Sequence, residues 1–177
     1  MKTETIQIYK FEELDEPIKE KVIEKNRDIN TDYDWYDGDL EFISENLKEH
    51  GIEADLKSVE FDIYRGEFSF KVTDINIKKF LEQNDKKLLA TLLLNKKLNV
   101  GEIYLNNENS LSVDTDEEYD EAILEGIQEQ ITDFLKDKRR EYLKMVRESY
   151  DYLCSDEAIK ETIEANEYDF LKDGSRW

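Results

Sequence analysis

The stretch EEYDEAILEGIQEQITDFLKDKRREYLKMVRESYDYL, residues 117 to 153, keeps a helical rhythm over its whole length. Tyr119, Ile123, Ile127, Ile131, Phe134, Tyr142, Val146 and Leu153 recur at the spacing that places apolar side chains along one face. At about 1.5 Å per residue such a helix is roughly 50 Å long. A compact globule of this size is only about 40 Å across. Either the helix breaks near Lys136 to Arg140, where the apolar rhythm thins, or one end projects and is covered by a partner or a second copy.

On its C-terminal side, Ser155 caps a last helix running to Asn166, with Asp156 and Glu157 at the positive end of its dipole. The segment from Tyr168 to Trp177 reads as a final strand with a turn at Asp173-Gly174. Toward the N-terminus, Gly101 to Leu105 and Leu111 to Val113 flank Asn106 to Ser110 as a hairpin. Ile75 to Gln83 and Asp85 to Asn95 form two helices broken at Asn84-Asp85. Val59 to Tyr64 and Glu67 to Val72 alternate strictly across Arg65-Gly66, the signature of another hairpin. A helix from Trp35 to His50 ends at Gly51, placed for a left-handed cap. A helix from Asp15 to Asp28 has Pro17 in its first turn, and Thr5 to Tyr9 alternates as a short strand. The expected class is α+β: a mostly helical single domain over 1 to 177, with short antiparallel hairpins and one long C-terminal helix. A subdivision would fall near 114, with 115 to 177 largely helical.

The charge is uneven. Of 177 residues 45 are acidic and 25 basic, a net charge of -20. Residues 1 to 60 carry -10, 61 to 113 carry +1 and 114 to 177 carry -11. No basic residue falls between Arg27 and Lys48, while Asp28, Asp32, Asp34, Asp37, Asp39, Glu41 and Glu45 do. None falls between Lys97 and Lys136, against Asp114, Asp116, Glu117, Glu118, Asp120, Glu121, Glu125, Glu129 and Asp133, with Glu102 and Glu108 before them. From Glu121 to Glu141 an acid stands at every fourth position. Like charges at that spacing cost about 0.2 to 0.5 kcal/mol per pair. Lys136, Lys138, Arg140 and Lys144 offset the second half of the row, and nothing nearby in sequence offsets the first. Successive carboxylates rise about 6 Å, so one row has about half the linear charge density of a DNA strand.

Such a balance argues against wrapping nucleic acid, which rests on Lys and Arg. One His and one Cys exclude a Cys/His zinc cluster and an internal disulfide framework. Cys154 reads as a small buried thiol and His50 as a helix C-terminal residue, where a positive charge is favoured. The acids around Gly38 miss the calcium-loop register. Asp114, Asp116, Glu118 and Glu125 fit better, yet Tyr119 stands where that loop needs Gly. The paired lysines Lys78, Lys79, Lys86, Lys87, Lys96 and Lys97 read as wet helix faces. Neither a signal-like apolar stretch nor a bilayer-length one is present, so a cytoplasmic chain without membrane contact is expected. Tyr33 to Asp37 interleaves aromatics with acids. It reads as a helix start anchored by Trp35, or as a hot spot for a basic surface built on Trp35 and Tyr36.

The runs Ile8 to Leu14, Asp28 to Asn30, Asp32 to Trp35, Tyr150 to Leu153, Ser155 to Ile159 and Ala165 to Phe170 resemble a family of uncharacterised acidic phage and prophage proteins. That resemblance implies a viral setting and brings no catalytic residues. Members often carry a Gly/Asp-rich hairpin after the second helix, where this chain has Phe61 to Phe68. The expected function is binding, without enzymatic activity, cofactor or metal. The chain is read as an inhibitor of a bacterial nucleic-acid-handling system, a CRISPR effector or restriction enzyme, whose basic surface it occupies in the manner of a DNA mimic. Asp32, Asp34, Trp35, Tyr36, Asp37, Asp39 and Glu41 would make the contact together with Asp114 to Asp133. The alternatives are a carboxylate-metal enzyme acting on nucleotides and an assembly protein that dimerises through the long helix.

Overall fold

The computed structural model describes residues 6 to 94, 103 to 105, 111 to 113 and 121 to 177. In chain order the elements are β1 (Tyr9–Lys10), a 3₁₀ turn (Phe11–Glu13), α1 (Glu16–Lys25), α2 (Asp37–Glu49), β2 (Ile52–Asp62), β3 (Glu67–Ile75), α3 (Ile77–Asn84) and α4 (Lys86–Leu94). They continue with β4 (Ile103–Leu105), β5 (Leu111–Val113), α5 (Glu121–Leu153), α6 (Asp156–Ala165) and β6 (Asp169–Phe170). The class is α+β, with helices as the larger part and a long C-terminal helix. The chain divides into two compact units, Met1–Tyr36 with Arg147–Trp177, and Asp37–Val146.

In the first unit the two ends of the chain pair: β1 and β6 run antiparallel, Tyr9 opposite Phe170 and Lys10 opposite Asp169. Of the expected strand over Thr5 to Tyr9, Thr5 lies outside the described residues, and among Ile6 to Tyr9 only Tyr9 is in the strand, whose register is set by a partner about 160 positions away. Phe11, Leu14, Val22, Ile159, Ile163 and Phe170 form the core between the 3₁₀ turn, α1, α6 and β6. Pro17 stands in the first turn of α1, and the Ser155 side chain accepts from the Ala158 amide at the start of α6. Buried Asn30 is bonded at both ends of its side-chain amide: its nitrogen donates to the Leu153 carbonyl at 3.0 Å, and its oxygen accepts from the Thr162 hydroxyl at 2.7 Å. Gly174 has φ +81 and lies so close to α1 that an added Cβ would sit 2.9 Å from both Ile18 and Val22. Only glycine meets both conditions.

The second unit holds a four-stranded antiparallel sheet in the order β2-β3-β4-β5. The β2-β3 hairpin turns at Arg65-Gly66 as its alternation predicts, with Gly66 at φ +81, but β2 starts seven residues earlier, at Ile52 instead of Val59. The intervening residues form a bulge: Asp55 pairs with Lys71 and Glu60 with Ser69. Ser58 restores the lost ladder contact, its hydroxyl accepting from the Lys71 amide at 2.8 Å. Gly51, at φ +75, ends α2 and accepts from the Asn76 amide at 2.7 Å. Phe68, Phe70 and Val72 alternate on one face of β3, and Ile43, Leu47, Phe80, Ile127, Ile131, Leu135, Tyr142 and Val146 are buried with them.

Of the two alternatives for the long helix, the break at Lys136 to Arg140 is absent: α5 is continuous for 33 residues. Long cationic side chains take over the packing where apolar residues thin out. Lys138, with its side chain only 15% exposed, lies 5.7 Å from the centre of the Phe134 ring and 5.8 Å from that of Tyr142; Arg139 lies 5.3 Å from that of Phe70. Their aliphatic stems cover apolar surface while the charges attract the ring faces.

Candidate functional site

Helix geometry determines where the acids of α5 point. With about 100° per residue, Glu125, Glu129 and Asp133 lie within an arc of about 80°, centred about 160° from the arc of Ile127, Ile131 and Leu135. The three apolar residues are buried and the three acids exposed. With Gln128 and Thr132 the acids line a shallow open depression. Among the described residues no cation lies within ion-pair distance of Glu125, Glu129 or Asp133. Farther along, Arg140 donates to Asp137 at 3.2 Å and Lys138 to Glu141 at 2.8 Å, so the second half of the row is compensated. The uncompensated part is about 12 Å long.

The start of α2 repeats this geometry. Asp37, Glu41 and Glu45 are exposed and lie across the helix from buried Ile43 and Leu47, whereas Asp39 is half-buried on the core side. The two rows are not brought side by side. Tyr142 bonds Asn46, and the Phe134 ring lies 4.6 Å from that of His50, so α2 and α5 run antiparallel. From those contacts the α2 row leads toward higher residue numbers along α5, away from Asp133. The two acid stretches therefore diverge.

Asp32 and Asp34 belong to the first unit and are exposed, as is Tyr33. Trp35 is half-buried, set edge-on against Tyr36 at 5.6 Å and tilted against Tyr150 at 5.5 Å, and the Tyr36 hydroxyl donates to Asp34 at 3.3 Å. Trp35 thus packs among aromatic rings without belonging to the buried core. Asp114, Asp116, Glu117, Glu118 and Asp120 lie outside the described residues, with Lys96 and Lys97, and nothing is described of the Glu121 side chain. Among the described residues no three His, Cys, Asp or Glu side chains gather as a metal site.

His50 stands at the C-terminal end of α2 as expected, but its surroundings do not favour charge. Burial against Phe134 and then the Lys138 ammonium hold its ring below the ordinary range. Lys78, Lys79, Lys86 and Lys87 are exposed, and Lys79 donates to the Lys48 carbonyl. A second depression, in the first unit, escaped sequence reading because Asp156 and Lys160 come to it from far along the chain to meet Phe11 and Ile23. No helix is long and apolar enough to cross a membrane among the described residues. Comparison with protein-family models, curated proteins and solved structures gave no match to this chain.

Proposed function

We propose that the protein works as a binding protein that occupies a basic surface on a nucleic-acid-handling protein and thereby inhibits it. A CRISPR effector or a restriction enzyme of a bacterial host is the class of partner. The observation that supports this reading is the row Glu125, Glu129 and Asp133, turned away from the core and uncompensated by any described cation. Two like-charge pairs at that spacing cost stability; attraction to a basic partner offsets the cost, speeds encounter and makes binding sensitive to salt. Because the α2 acids diverge from this row, contact is made by a single strip of carboxylates of roughly half a DNA strand's charge density, so the mimicry is of one strand segment and not of a duplex. Affinity capture from bacterial lysate at a series of salt concentrations tests the reading. Nucleic-acid-binding proteins retained at low salt and released as salt rises are expected; their absence at low salt would overturn it.

A further inference from the structure

In the first unit a hollow of about 300 Å³ opens where the 3₁₀ turn, α1 and the first turns of α6 meet. Phe11 and Ile23 give it apolar lining, and four carboxylates and two ammonium groups stand around it. Most of that charge is already matched. Glu16 accepts from Lys19 at 2.8 Å, and that bond holds its carboxyl below the usual range. Lys160 pairs with Glu164 at 3.7 Å, and Asp156 with Arg27. Glu12 and Glu20 remain, both exposed and both without a partner among the described residues. The hollow thus offers two unmatched negative charges beside an apolar surface, in a volume at the lower end of ligand-binding cavities.

We infer that this hollow seats an arginine side chain carried by a basic segment of a partner protein. The aliphatic stem lies along Phe11 and Ile23, and the guanidinium, planar, permanently charged and more weakly hydrated than an ammonium, takes up Glu12 and Glu20. A lysine head would have to shed a tighter hydration shell at the same place. This surface is separate from the α5 row and stands whether or not that row binds.

Isotope-labelled full-length protein titrated with the peptide Gly-Arg-Gly, followed by amide chemical shifts, tests the inference. Saturable shifts at Phe11, Lys19 and Ile23 are expected, and the double variant E12Q/E20Q should weaken binding about fivefold, within the range that two exposed ion pairs allow. Neither carboxylate supports the fold, so an unchanged thermal midpoint of the variant separates lost binding from lost structure. Absent shifts at these amides would overturn the inference, as would equal shifts with Gly-norleucine-Gly, equal affinity for Gly-Lys-Gly, or undiminished affinity in the double variant. Shifts confined to α5 would overturn it too while leaving the proposed function standing.

Discussion

The Tyr142 hydroxyl donates to the Asn46 side-chain oxygen at 2.9 Å, while the same ring lies 6.1 Å from Phe68 and 6.3 Å from Phe70. One side chain thus ties α5 to both α2 and β3 inside the second unit. Its burial pushes the phenol above its ordinary range. Tyr142→Phe leaves the half-buried Asn46 oxygen without its donor and is expected to cost about 1 to 2 kcal/mol. Tyr142→Ala, which also opens a cavity, should cost about 3 to 5 kcal/mol. Urea unfolding of both variants checks the order; a Phe variant as stable as the parent would show that the bond contributes nothing net.

Gly51 and Gly174 are expected to tolerate no side chain. A Cβ at Gly51 would lie 2.7 Å from the Asn76 carbonyl oxygen, and one at Gly174 2.9 Å from two side chains of α1, both at positive φ. Strain alone costs of order 1 to 3 kcal/mol, and the clashes add to it. Gly66 has a similar φ but open space around it. Thermal unfolding should therefore rank Gly66→Ala well above Gly51→Ala and Gly174→Ala; three equal midpoints would mean that the close contacts relax freely.

His50 gives a pH dependence of definite sign. Its folded-state pKa is held below the ordinary 6.5 by burial and by Lys138. As pH falls past 6.5 the unfolded chain takes up the proton first, so stability declines until the folded value is passed. The Glu49 and Glu141 carboxylates pull the other way with smaller effect, and Asn84 and Phe134, which also face the ring, do not titrate. Denaturant midpoints measured from pH 7.5 to 5.5 should fall less steeply in His50→Gln than in the parent. Parallel curves would assign the decline to other groups.

Neutralising the α5 row should stabilise the protein. Glu125→Gln, Glu129→Gln and Asp133→Asn together remove the four repulsive pairs at four-residue spacing from Glu121 to Asp137, a gain of about 0.8 to 2 kcal/mol at low salt. In 1 M salt, where screening acts over about 3 Å, the gain should vanish. A triple variant less stable than the parent at low salt would reveal a compensating contact.

Local chemistry made much of the fold legible. Ser155, Pro17, Gly51 and Gly66 mark caps and turns through their own backbone or side-chain requirements, and each sits where its chemistry puts it. Nonlocal effects were not legible. The start of β2 is obscured by the Asp55 to Glu60 bulge, where Ser58 replaces a ladder contact that alternation cannot reveal. The continuity of α5 rests on Lys138 and Arg139 packing over rings that belong to separate turns or strands. For the site, the outward aim of Glu125, Glu129 and Asp133 follows from their spacing against Ile127 and Ile131. That the α2 acids diverge from them depends on the antiparallel contact of Asn46 with Tyr142, and no periodicity contains it.

The most direct test of the binding account compares the parent chain with the triple-neutralised α5 variant as bait in low-salt lysate, followed by elution with duplex DNA. The account predicts that nucleic-acid-binding proteins are held by the parent, released by the duplex, and largely lost from the variant. Equal retention by both baits, or retention that duplex DNA does not reverse, would contradict it.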